Sequence, residues 1–278
     1  MPAEFDPTPP GDAPAERRWW GCHLHELRWQ AEAARLLVDP VFYGAGIPRG
    51  DGMGVLTIPG FLAGDASLLT LNAWLRRLGY VPARSGMAAN VDCSDRAVAR
   101  LERRLEALHA RTGRPVALVG HSRGGHFVKA LAARRPELVA TAISVGAALD
   151  TPFDISLPTK AAVAAVRSVH HRLSAASASR GCFTDTCTCR FASDFAGTFP
   201  ADVPLTSIYS RGDGVVWWEA CVVPYARCIE VTGSHVGLAT NRKVFRVIAE
   251  TLAAAGSPPA RRGSAPSAAS PPGARRAA

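Results

Sequence analysis

Gly120-His121-Ser122-Arg123-Gly124 is the stretch of this chain best suited to covalent chemistry. A serine hydroxyl is barely ionised at neutral pH and reacts only when a base takes its proton. The G-x-S-x-G spacing suits a nucleophile held in a sharp turn from strand to helix. Side chains two residues before and two after the serine would collide there, which is why both positions are glycine. The four apolar residues Val116–Val119 before the motif and helix-forming residues after it supply the required context.

The base expected for Ser122 is His235, in Gly233-Ser234-His235-Val236-Gly237, after the last strand-like run. His121 and His126 neighbour the serine in sequence, but the turn should aim them away from its hydroxyl. Such a base needs an acid to fix its tautomer and stabilise its charged form. Asp213, in Ser210-Arg211-Gly212-Asp213-Gly214, fits that role, with Asp150 as second candidate. The order Ser122, Asp213, His235 is one of the known triad orders. A developing oxyanion would need two backbone N–H donors. Arg123 should supply one and Phe61, in Pro59-Gly60-Phe61-Leu62, the other, with Leu62 as the alternative. Leu62, His121, Val215 and Trp217 are the residues expected to touch substrate.

The elements that must position these groups are also readable. Val55–Ile58, Tyr80–Ala83, Val116–Val119, Val139–Val145, Leu205–Tyr209 and Ala226–Val231 have strand character. Helices are expected between them. One is capped by Asp65 and ended by Gly79, a second is opened by Ser94 and stopped by Gly113, and a last one spans Asn241–Ala254. The alternation predicts an α/β fold: a mostly parallel central sheet with helices on both faces. Ligands bind such sheets beyond the carboxyl ends of the strands, where every nominated residue lies. Residues 151–200 interrupt the alternation and are expected to form a small helical cap. Val163, Val166, Val169 and Leu173 make a helical stripe there, read as packing on the domain. The domain is expected to span 20–254, flanked by a disordered segment 1–19 and a disordered Arg/Ala/Pro/Ser-rich tail 255–278.

The landmarks Ile58-Pro59-Gly60-Phe61, Leu118-Val119-Gly120-His121-Ser122-Arg123-Gly124-Gly125, Tyr209-Ser210-Arg211-Gly212-Asp213-Gly214-Val215-Val216 and Gly233-Ser234-His235 occur in that order. Together they make the segment Val55–Ala254 resemble the α/β-hydrolase lipases and esterases of bacteria. The resemblance implies an α/β-hydrolase fold, hydrolysis of a small-molecule ester through an acyl-enzyme, and no organic cofactor. Pro59 stands where many relatives have His. Gly146-Ala147-Ala148-Leu149-Asp150 stands where many lipases show Gly-Thr-Pro-His. A thioesterase, amidase or acyltransferase would use the same machinery, and a non-catalytic ligand-binding protein is the alternative of another class.

The totals narrow the remaining classes. The chain has 278 residues and a formal charge of +9, four units of which sit on Arg261, Arg262, Arg275 and Arg276 in the acid-free tail. No basic stripe interleaved with aromatics is present, so nucleic acid is not an expected partner. Trp19, Trp20 and Trp29 with nearby arginines are a candidate for weak peripheral membrane contact, although covering the core is the simpler account. No secretory signal or membrane span is recognisable, so a cytoplasmic location is expected. Among seven cysteines, Cys182, Cys187 and Cys189 cluster as C-x4-C-x-C. The spacing differs from zinc-binding C-x2-C pairs, so no metal is expected; zinc with His170 or His171, a local disulfide and reduced packing are the alternatives for this cluster. The sequence is silent on oligomeric state.

Overall fold

The computed structural model describes residues 26–173, 184 and 187–256. The expected disordered segment, Trp19, Trp20 and Cys182 lie outside them, as does the tail apart from its first two residues. Strands β1 (Gly54–Ile58), β2 (Val81–Arg84), β3 (Val116–His121), β4 (Val139–Val145), β5 (Leu205–Tyr209) and β6 (Arg227–Glu230) form one sheet. Its order is β2-β1-β3-β4-β5-β6, and every neighbouring pair is parallel.

Alternation along the inner strands divides the core into two layers. Leu56, Ile58, Val116 and Leu118 face one side, where they meet helices α3 (Ser94–Thr112) and α4 (Arg123–Arg134) through Leu101, Leu105, Phe127 and Leu131. Val55, Ala117 and Val119 face the other, against α2 (Leu69–Leu78) and α7 (Arg242–Gly256). Successive side chains of a strand point to opposite faces, so a sheet covered on both sides needs apolar residues at every position. Helix α1 (Trp29–Leu37) joins the second layer through Leu36 and buries Glu32.

Trp74 anchors that layer. It is fully buried, its ring lies 4.6 Å from that of Phe245, and its Nε1–H donates to the Val41 carbonyl at 2.9 Å. Trp74→Ala would leave a large cavity and strip the Val41 carbonyl of one of its two donors, the other being Gly44 N. It should cost about 3–5 kcal/mol, readable as a lowered midpoint in urea unfolding.

Three local expectations are corrected. Asp65 does not cap a helix. It begins a 3-10 turn, Asp65–Leu68, and its carboxylate instead accepts from Ser85 N, Ser85 Oγ and Gly86 N at 2.6–3.0 Å. A carboxylate satisfies more orphan donors there, tying β2's outgoing loop to the start of α2, than it would as a cap. The segment between β4 and β5 carries α5 (Leu157–Leu173) and α6 (Arg190–Ala196), but Val163, Val166 and Val169 of the expected stripe are not part of the core. Val163 faces a cavity and Val169 is exposed. Trp29 is exposed rather than covering the core, because α1 turns Glu32 and Leu36 inward. Among the described residues, no helix is long and apolar enough to cross a membrane.

Candidate active site

The order of the sheet reverses between β1 and β3, since β2 lies to one side of β1 and all later strands to the other. Such a switch point opens a crevice at the carboxyl edge of the sheet. Pro59–Leu62 leave β1 there and Ser122 leaves β3. The two turns touch: a Cβ placed on Gly60 would stand 2.9 Å from that of Ser122.

Ser122 sits in a sharp turn with φ +52° and ψ −127°, a region that residues with a side chain rarely occupy. The surrounding glycines make the turn sterically feasible. A Cβ on Gly120 would lie 2.3 Å from the Gly124 backbone, and one on Gly124 would lie 2.2 Å from the Ile58 carbonyl oxygen. Helix α4 can therefore approach β1 and β3 only without side chains at these positions. The strained serine is held by its own N–H, which donates to the Val145 carbonyl at 2.8 Å.

Asp213 follows β5 and His235 follows β6. His235 Nδ1 lies 2.6 Å from Asp213 Oδ2, and both side chains are almost entirely buried. The other Asp213 oxygen accepts from Val215 N and Val216 N, each at 2.8 Å. The carboxylate is thus fixed at both ends. Burial alone would lower the pKa of His235. The Asp213 charge and hydrogen bond, with the Glu26 charge, outweigh it and hold the imidazole above its ordinary value of 6.5.

His121, the residue before Ser122, packs beside this pair. Its ring centroid is 5.0 Å from that of His235, and its Nε2 is 2.9 Å from the His235 carbonyl oxygen. Burial and the charge of His235 lower its pKa to about 4. It is therefore neutral and donates that hydrogen bond, bracing the backbone that carries His235. Asp150, the second candidate acid, is committed elsewhere. Its Oδ1 accepts from Tyr225 Oη at 2.6 Å and lies 3.6 Å from Lys129 Nζ.

The loop after β1 is braced by a residue that sequence reasoning missed. Asn90 is buried; its Nδ2 donates to the Pro59 carbonyl at 2.8 Å and its N–H to the Ala63 carbonyl at 2.7 Å. The Asn90 carbonyl accepts from Leu62 N at 3.3 Å and from the Arg123 guanidinium at 3.0 Å. Leu62 has φ +62°, and its N–H is engaged by the Asn90 carbonyl. Arg123 is the first residue of α4, where backbone N–H groups have no partner within the helix.

A cavity of about 800 Å³ opens above Ser122 between the sheet edge and the α5–α6 segment. Phe61, His126, Val163, Phe191, Phe195 and Val215 are among its walls. His126, one turn after Ser122, has its pKa lowered to about 3, first by burial and then by the charges of Arg123 and Lys129, and contributes a neutral ring. Of the residues expected to touch substrate, Val215 lines this cavity. Leu62, His121 and Trp217 are not among its described lining residues: Leu62 is exposed at the surface, and His121 faces His235. Cys187 and Cys189 also line it, with their sulfurs 3.2 Å apart. His170, considered as a metal ligand, has Nε2 2.7 Å from the Val91 carbonyl. Among the described residues, no group of three or more His, Cys, Asp or Glu is arranged to hold a metal ion.

No family model matches the sequence, and no curated protein matches it. Solved structures do match. A monoglyceride lipase from Saccharomyces cerevisiae, solved as a soluble variant with a substrate analog, superposes with a TM-score of 0.53 at 15% identity, over 76% of this chain and 90% of that one. A structure from the study of the metagenome-derived lipolytic enzymes LipS and LipT gives 0.51 at 18% identity, over 75% and 95%. A lipase from Bacillus licheniformis gives 0.50 at 15% identity, over 74% and 94%.

Proposed function

From a chain that has the α/β-hydrolase fold, we propose a serine hydrolase that cleaves a carboxylic ester through an acyl-enzyme on Ser122. The observation that carries this reading is the buried Asp213–His235 hydrogen bond at 2.6 Å, at the same sheet edge as a serine in a strained turn on a cavity floor. A surface histidine or a bystander serine would have no need of such an arrangement.

In the proposed reaction, His235 Nε2 takes the Ser122 hydroxyl proton as Oγ bonds to the ester carbonyl carbon. The carbonyl oxygen becomes an oxyanion, met by the Phe61 and Arg123 amides. The tetrahedral adduct collapses, and the ester C–O bond breaks as His235 returns its proton to the leaving alcohol. A water molecule then loses a proton to His235 and attacks the acyl-enzyme. The second adduct expels Ser122, which regains its proton, and the carboxylic acid departs. Asp213 holds Nδ1 protonated, so that Nε2 presents a lone pair to the serine. The apolar walls of Phe61, Phe191, Phe195 and Val215 suit an uncharged acyl or alcohol group, and the volume suits a small molecule.

A fluorophosphonate probe should label the protein stoichiometrically, with the adduct on the peptide containing Ser122. A panel of p-nitrophenyl esters, matched thioesters and anilides should show ester turnover fastest. Failure of the probe to label Ser122 would favour a non-catalytic binding protein. Faster thioester or anilide turnover would move the assignment to that bond.

A further inference from the structure

Two carboxylates from the start of the described chain reach the loops that carry Asp213 and His235. Glu26 Oε1 accepts from Gly214 N at 3.0 Å and from His235 N at 2.8 Å, and its Oε2 accepts from Val236 N at 2.9 Å. Glu32, buried on α1, accepts from Ser234 N at 3.0 Å and from Ser234 Oγ at 2.8 Å. The amides of residues 234, 235 and 236 therefore all end on these two side chains, and Glu26 also takes the amide next to Asp213. The loop is shaped to its clamp: a Cβ on Gly237 would fall 1.5 Å from Glu32 Oε2.

We infer that Glu26 is a positioning residue for His235: one carboxylate staples the acid loop to the base loop and so fixes the imidazole against Asp213. The inference rests on the serine-hydrolase reading of the site. Neither loop is regular structure, and three amide donors turned to one point need an acceptor with two oxygens. Charge-assisted hydrogen bonds are roughly twice as strong as neutral ones, so a carboxylate suits this task better than water or an amide. The side chain is 209 residues from His235 in sequence, so it restrains the base from outside its own loop.

The carboxylate has a second consequence. Among the described residues, the titratable groups facing His235 are Asp213 from the loop after β5, His121 from the end of β3, and Glu26 from the segment before α1, with Glu32 one residue away under Ser234. Asp213 and Glu26 both stabilise the imidazolium, whereas a charged His121 would oppose it. Removing the Glu26 charge should make His235 a weaker base.

The test is Glu26→Gln in the full chain. An amide offers one acceptor oxygen where three amides converge, and it turns its NH2 toward another donor. Two readouts separate positioning from simple scaffolding. The first is the titration of His235 by NMR with no substrate present. Its midpoint should fall by about 0.5–1 unit in Glu26→Gln, while Glu26→Asp, which keeps the charge, should return it toward wild type. The second is steady-state turnover of p-nitrophenyl butyrate, normalised to sites titrated by the fluorophosphonate. There kcat should fall about tenfold with KM within twofold, since misalignment of the base acts on the transition state. An unchanged midpoint together with an unchanged kcat per titrated site would overturn the inference, as would a loss explained wholly by fewer titratable sites. Absence of ester turnover in wild type would overturn the hydrolase reading alone, because the NMR titration reads the clamp without it.

Discussion

Ser122→Ala should lower kcat for activated short-chain esters by about a million-fold, the scale seen when the nucleophile of a serine triad is removed. The substitution isolates the hydroxyl. Alanine keeps the Cβ, tolerates the same φ of +52° as poorly or as well as serine does, and leaves the backbone N–H bond to Val145 in place. Thermal unfolding should therefore be near wild type, and the fluorophosphonate should no longer bind. Whatever activity survives would come from ester held near the Phe61 and Arg123 amides and attacked by water directly. A variant that turned over p-nitrophenyl butyrate at the wild-type rate would remove Ser122 from the reaction, and with it the whole covalent scheme.

What could be read before any coordinates were the features encoded in short windows. The four apolar residues ahead of Gly120 mark β3, because a strand buried on both faces must be apolar at each position. Val139–Val145 and Leu205–Tyr209 also fall at the expected residues, with Thr141, Ser144, Thr206 and Ser207 buried among their apolar neighbours. Gly120 and Gly124 announce a close approach of backbone to backbone, and the structure puts Ile58, Gly120 and Gly124 in that contact. The roles proposed for Ser122, Asp213 and His235 rest on order and residue type, and the structure adds the 2.6 Å bond between the latter two.

Partners chosen across the chain left no such trace. Glu26 and Glu32 look in sequence like acids on a solvated helix, yet they accept from amides about 200 residues away. Asn90 lies in a loop with no period, and its value comes from touching Pro59, Leu62, Ala63 and Arg123 together. Asp65 satisfied a local capping rule but was drawn to Ser85 and Gly86, because three unmet donors outcompete one. Val163 belongs to a stripe on α5 that has the period of a packing face, yet it borders a cavity, since periodicity reports amphipathicity without saying what lies opposite. Local pattern specifies the elements; the choice among distant hydrogen-bond partners is made only once the sheet has assembled.

Asp213→Asn should be the second most damaging change, with kcat reduced by about ten-thousand-fold, and for a reason that lies in proton bookkeeping rather than in stability. In the native site one Asp213 oxygen accepts from Val215 N and Val216 N and the other from His235 Nδ1–H. An asparagine can satisfy the two backbone donors only with its single oxygen. Its NH2 then faces His235 Nδ1, which must become an acceptor. The imidazole is driven to the tautomer protonated on Nε2, which has no lone pair for the Ser122 proton. The packing volume is unchanged, so the fold should survive, and fluorophosphonate labelling should slow in parallel with kcat. The pH profile gives an independent sign. Wild-type kcat/KM should be lost as pH falls through the raised pKa of His235, so its acidic limb should lie above the ordinary 6.5. Without the carboxylate that stabilises the imidazolium, the limb of the residual activity should move to lower pH. Asp150→Asn should do neither, because that carboxylate serves Tyr225 and Lys129. Wild-type turnover in Asp213→Asn, or a larger loss in Asp150→Asn, would transfer the acid's role to the loop after β4 and break the assignment of the 2.6 Å pair.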